Sequence, residues 1–140
     1  MEYKSNRTAG KYDVIEKAKE LVVYTIQITN NEKYFPKRYR FSVVNQLQQK
    51  SLSIVDDLVM AMEIYPKQGE KIFQKELEER LLCQKRARAS CRSLMTLMEI
   101  SAGIFDIRIN KLEYWTRIAK DVRNMTSAWI KADLKRFGIE

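Results

Sequence analysis

Apolar residues recur at steps of three and four through four long stretches of this chain, and its only two prolines, Pro36 and Pro66, separate the first three of them. That spacing lines side chains along one face of an α-helix, and the residue before a proline is pushed out of helical geometry, so each proline marks a turn. The first stretch, Tyr12 to Asn30, carries Val14, Ala18, Leu21, Thr25 and Ile28, with Asp13 as N-cap and Asn30-Asn31 as the stop. The second, about Lys37 to Tyr65, repeats Phe41, Val44, Gln48, Ser51, Val55, Leu58, Met62 and Tyr65; the third, about Gly69 to Ala102, repeats Gln74, Leu77, Leu81, Gln84, Arg88, Cys91, Met95 and Met98. After an irregular piece from Gly103 to Asn110, the fourth shows Leu112, Trp115, Ala119, Val122, Thr126 and Trp129. No stretch reads as a β-strand. The expectation is an all-α fold, an antiparallel up-down-up-down four-helix bundle forming a single domain over residues 12–137, after a flexible N-terminal arm over residues 1–11.

Composition narrows the function. A chain of 140 residues with 45% apolar and 31% charged side chains can bury one core without disulfides. It has no apolar run near the roughly 20 residues that cross a bilayer and no apolar leader at its start, so the expected location is cytoplasmic, with no membrane partner. There is no histidine, which removes the commonest general base and zinc ligand, and no glycine-rich phosphate loop. The adjacent carboxylates Asp56-Asp57 and Glu78-Glu79 diverge around a helix. No catalytic residue, metal ligand or cofactor is therefore expected, and the chain reads as a non-enzyme. Cys83 and Cys91, eight residues apart on one helix and so about 12 Å along its axis, cannot join to each other; both read as core thiols.

Charge points to a partner. The chain carries a net +8, and between Arg80 and Glu99 it has no carboxylate, while Arg80, Lys85, Arg86, Arg88 and Arg92 fall in thirteen residues. Like charges one helical turn apart repel by a few tenths of a kcal/mol, so a sequence shaped for stability alone would intersperse acids here. Lys85, Arg86, Arg88 and Arg92, together with Lys37, Arg38 and Arg40 at the first turn, form the candidate nucleic-acid or partner-binding set. Contacts of this type hold phosphates without reading bases, so binding of RNA, DNA or both would be sequence-tolerant. Tyr34, Phe35 and Tyr39 interleave with the turn's cations, either to stack on unpaired bases or to pack against the end of the bundle. The alternative for the whole run is a solvated helix face.

One feature of the core stripes is polar. Gln48, Ser51, Gln84 and Arg88 fall at one level of the second and third helices and form a candidate buried layer that sets register. A second phase for the third helix, through Cys83, Ala87, Leu94 and Leu97, would leave Arg88 on the surface. Use of both phases at once leaves apolar surface to spare, from which self-association is expected.

The run KYFPKRYRF, Lys33 to Phe41, resembles the Phe-Pro-Lys-x-x-Arg-Phe turn of the accessory variability determinant family of diversity-generating retroelements, and the later basic helix follows in the same order. The closing stretch from Trp129 to Arg136 is similar to that family's Trp-x-x-Ser-x-x-x-Arg ending, with Ala132 or Asp133 in place of the serine. The four-helix proteins of 23S ribosomal RNA intervening sequences share the architecture; the turn favours the retroelement group. The resemblance implies a barrel-shaped homopentamer, basic outside, that binds nucleic acid and a partner reverse transcriptase and supports template-repeat cDNA synthesis and mutagenic retrohoming. The other implied role is a structural or protein-binding bundle of the intervening-sequence type with no retroelement role.

Overall fold

A computed structural model describes residues 11–138. All regular structure among them is helical: α1 spans Lys11–Thr29, α2 Asn45–Glu63, α3 Phe73–Ile104 and α4 Ile109–Arg136. The helix pairs α1–α2, α2–α3, α3–α4 and α1–α4 all pack together, so each helix meets two principal neighbours across one apolar core. Of the arm expected over residues 1–11, all but Lys11, which opens α1, lies outside the described residues.

α1 buries the stripe its sequence announces, and α4 buries its own from Trp115 onward, with Leu112 partly buried. Val14, Ala18, Leu21, Thr25 and Ile28 face inward on one, and Trp115, Ala119, Val122, Thr126 and Trp129 on the other. Trp115 is fully buried and donates its indole N–H to Thr25 Oγ1 at 2.9 Å, which satisfies both polar groups inside the core. Asp13 falls inside the first turn of α1, not at its cap, where its charge still favours the helix N-terminus.

The entry to α2 departs from the expected continuous helix. Lys37–Tyr39 forms a 3₁₀ turn and Arg40–Val44 a π turn before the α-helix begins at Asn45. Phe35, 1% exposed, anchors this corner against Phe105 (ring centroids 5.0 Å) and Trp115 (6.1 Å), and Tyr39 packs on Phe105 at 4.9 Å. The widened turn leaves Phe41, expected in the core stripe, 82% exposed. At the other end α2 stops at Glu63, Ile64 is extended before Pro66, and Gly69 turns the chain at φ +91°, a conformation that a side chain would strain. α3 runs through Gly103 and breaks only at the extended Phe105.

The buried residues are Val44 in the π turn and Leu47, Ser51, Ile54, Leu58 and Ala61 in α2; in α3 they are Leu77, Arg80, Cys83, Gln84, Ala87, Cys91, Leu94, Met95, Met98 and Ser101. Both corrections are of one kind. The positions spaced by seven, at 44, 51 and 58 and at 77, 84, 91 and 98, stand as expected, and so does Met95, whereas the other alternating positions lie one residue earlier. Leu47 replaces Gln48, Ile54 replaces Val55, Arg80 replaces Leu81 and Ala87 replaces Arg88. Each pair lies about 100° apart on the helix, so either choice satisfies the period, and packing selects the member that turns toward both neighbouring helices. The second phase expected for α3 is used as well: Cys83, Ala87 and Leu94 are buried and Leu97 is partly buried, with Arg88 outside the core.

Candidate nucleic-acid interface

The basic window of α3 divides three ways. Arg80, its first cation, is fully buried and belongs to the core. Its Nε donates to Asp133 Oδ2 at 2.7 Å, Nη2 donates to Asp133 Oδ1 at 3.2 Å, and Nη1 donates to the carbonyls of Ile64 at 2.9 Å and Ala61 at 3.3 Å. The guanidinium lies over the rings of Trp129, Tyr65 and Phe137 at 5.1, 5.6 and 5.8 Å. One side chain thus ties the end of α2 to α3 and to the last turns of α4.

Arg86 turns toward α2, where Nη1 lies 3.9 Å from Asp57 Oδ1. Burial raises the Asp57 carboxyl above its ordinary value, against the opposing pull of Arg86, so this ion pair does not fully compensate the desolvation. Arg88 and Arg92 turn the other way, toward α4. Arg88 is half-buried, with Nη1 3.5 Å from Ser127 Oγ, and Arg92 shares a groove with Lys120. Lys85, exposed, stands one turn before Arg88 on the same helix.

The expected polar layer separates into local bonds. Gln48 Nε2 donates to Thr29 Oγ1 at 2.9 Å and to Asn30 Oδ1 at 3.2 Å, joining α2 to α1. Ser51 donates to the Gln48 carbonyl at 2.8 Å. Gln84 Nε2 donates to Asp133 Oδ2 at 2.7 Å, joining α3 to α4, and its Oε1 has no hydrogen-bond partner among the described residues. Arg88 stands outside the core. Gln48 and Gln84 each bond across to a neighbouring helix while Ser51 bonds within its own, and Asp133 is the buried centre that the sequence does not announce.

The seam between α3 and α4 carries cations that sequence reasoning did not assemble. α4 has its own window without a carboxylate, from Val122 to Ala132, and the Arg88–Ser127 contact sets it opposite the window of α3. Arg123 approaches this seam from α4: its Nε is buried without a hydrogen-bond partner among the described residues, and its charge acts on the buried Cys91 of α3. Burial pushes the Cys91 thiol up to about 12, with Arg123 pulling the other way. Lys131, exposed, lies one turn beyond Ser127. Arg88, Arg92, Lys120 and Arg123 therefore flank one seam, and none of the four has an ion pair among the described residues. The signal in the sequence was the second acid-free window, visible only once α4 is set beside α3.

Lys37, Arg38 and Arg40 are exposed at the corner before α2, with Arg38 over the Tyr39 ring at 5.2 Å. Lys37 and Arg40 border a small depression with Glu32. Since this corner packs on Phe105, it sits at the level of the α3 C-terminus, about 20 Å along the helix from Arg92 at about 1.5 Å per residue. Phe35 and Tyr39 are engaged in the core, so of the aromatic rings around the turn it is Phe41 that faces outward.

Among the described residues no group of acidic, cysteine or histidine side chains is arranged to hold a metal ion, and no helix is long and apolar enough to cross a membrane. Comparison with protein-family profiles, with curated proteins and with solved structures finds no match.

Proposed function

We propose that this protein is a non-enzymatic, basic nucleic-acid-binding accessory protein, an up-down-up-down four-helix bundle whose α3–α4 seam grips the phosphate backbone of RNA or DNA without reading sequence. The observation that supports it is the seam itself: Arg88, Arg92, Lys120 and Arg123 gather on one surface with no ion-pair partner among the described residues. Cations held together in this way repel one another in the free protein and are relieved by a polyanion. Lys85 and Lys131 extend the seam, and Lys37, Arg38 and Arg40 form a separate footprint at the corner. With the retroelement resemblance, the partner enzyme is a reverse transcriptase and the supported reaction is cDNA synthesis from template-repeat RNA. Phe41, Leu52 at 47% exposed and Val59 at 36% supply outward apolar surface for assembly with copies of itself, as the implied homopentamer requires.

Four phosphate contacts give a slope of about −3.6 in log K against log salt on duplex DNA, so affinity falls roughly a hundredfold between 50 and 200 mM salt. Reversing Arg88→Glu with Arg92→Glu, while helicity by circular dichroism is retained, is expected to abolish retention of both RNA and DNA at low salt. Unchanged retention by that variant sinks the reading and leaves a bundle that docks on protein.

A further inference from the structure

Beside the cations the α3–α4 seam opens into a groove of about 250 Å³, floored by Met95, Met98 and Leu112 and flanked by Arg92 and Lys120. Met95 and Met98 are almost wholly buried, so the floor is apolar and shaped by the core behind it. The volume falls just below the roughly 300 to 1,000 Å³ of pockets for drug-sized ligands, which suits a single ring system. Glu99 stands on the same rim. A carboxylate there repels a phosphate but accepts a hydrogen bond from an N–H on the Watson–Crick edge of a base.

We infer that this groove receives one unpaired nucleobase of a single strand, its flanking phosphates held by Arg92 and Lys120; the inference rests on the nucleic-acid reading of the seam. The Met95 thioether, the more exposed of the two, is polarisable and makes favourable contacts with aromatic rings, so the floor, with Leu112 beside it, accepts any base. Phosphate binding alone needs no apolar floor and gains nothing from Glu99. In a duplex the bases are paired and stacked, and none can enter without first being extruded. The groove therefore makes the protein prefer single strands, a property that the cations by themselves do not confer.

The test uses the intact protein and three probes of equal length at one salt concentration: a thymidine single strand, the same strand built from abasic sites, and a duplex. Fluorescence anisotropy is expected to show the thymidine strand bound about tenfold more tightly than the abasic strand, which carries the same phosphates. Equal affinity for the two overturns the inference, and leaves the phosphate-binding seam standing if both are retained. Failure to bind any of the three overturns the seam reading itself. The double variant Ala102→Leu with Thr116→Leu, which fills the groove from an exposed and a half-buried position, is expected to lose the preference for bases while its affinity for the duplex is unchanged. Should that variant fold poorly, crosslinking of a 4-thiouridine strand to wild-type protein decides: adducts are expected on the segments from Arg92 to Ala102 and from Leu112 to Lys120, which line the groove, and adducts confined to other segments refute the placement.

Discussion

Arg80→Met tests the view that a buried ion pair holds the ends of α2, α3 and α4 together. Methionine matches the stem of arginine and removes the guanidinium, which in the native protein donates two bonds to Asp133 and two to the carbonyls of Ala61 and Ile64. Among the described residues Asp133, fully buried, then keeps the 2.7 Å bond from Gln84 and the marginal 4.0 Å approach of Arg136. Removing one partner of a buried pair costs about 3 to 5 kcal/mol, because the other charge stays desolvated. Unfolding entropy of about 2.1 cal/mol/K per residue over 140 residues converts 4 kcal/mol to a melting temperature lower by about 14 °C. The partner change Asp133→Leu removes the orphaned charge, so Arg80→Met with Asp133→Leu is expected to be more stable than Arg80→Met alone by about 2 kcal/mol, the remaining loss coming from Gln84 and the two carbonyls. Thermal unfolding followed by circular dichroism at fixed protein concentration reads all three variants. A loss under about 1 kcal/mol for Arg80→Met, or a double variant that is merely the sum of its singles, refutes the coupling.

Two further outcomes follow from the shifted groups. The raised Asp57 carboxyl favours its protonated form in the folded protein, so its contribution is fully present below the ordinary carboxylate value near 3.8 and is lost as pH rises through the folded value. Asp57→Asn should thus match wild type near pH 3 and equal or slightly exceed it at pH 7, within about 0.5 kcal/mol by urea midpoint; a clear loss at pH 7 would show that Arg86 stabilises more than burial costs. Cys91, fully buried with its thiol pushed up to about 12, should not react with a thiol reagent at pH 8, and Cys83, raised less, should react only slowly. Both thiols are expected to react at once in denaturant, and rapid reaction of two thiols per native chain contradicts the packing of α3.

Legibility divided by how much of a helix's buried face is apolar. In α1 and α4 the inward positions are almost all apolar or small, and one phase accounts for them. In α2 and the turn before it, the buried residues Val44, Leu47, Ser51, Ile54, Leu58 and Ala61 include one polar side chain, whereas the expected stripe contains both Gln48 and Ser51, and Leu47 is the residue that separates the two phases. In α3 the true stripe contains Arg80 and Gln84, and no local rule assigns an arginine to a core. Its counter-charge is Asp133, 53 residues away and itself disguised among the polar residues of α4. The pairing becomes visible only when α3 and α4 are side by side, as does the seam, since the acid-free window of α4 from Val122 to Ala132 gains meaning only opposite that of α3.

The two roles of the basic window are mechanically linked. Arg80 stands eight residues before Arg88, about 12 Å along α3, and its bond to Asp133 fixes where α3 lies along α4. That register sets Arg88 at Ser127 and brings Arg92 to the groove it shares with Lys120. Mutual repulsion between cations on facing helices favours any slip that separates them, and apolar packing resists slip weakly where methionine, leucine and alanine exchange neighbours at similar cost. A bidentate arginine–carboxylate bond is specific in direction and distance, and a slip of one turn, about 5.4 Å, would break it. The buried pair thus acts less as a source of net stability than as the constraint that holds like charges in line on the surface above it.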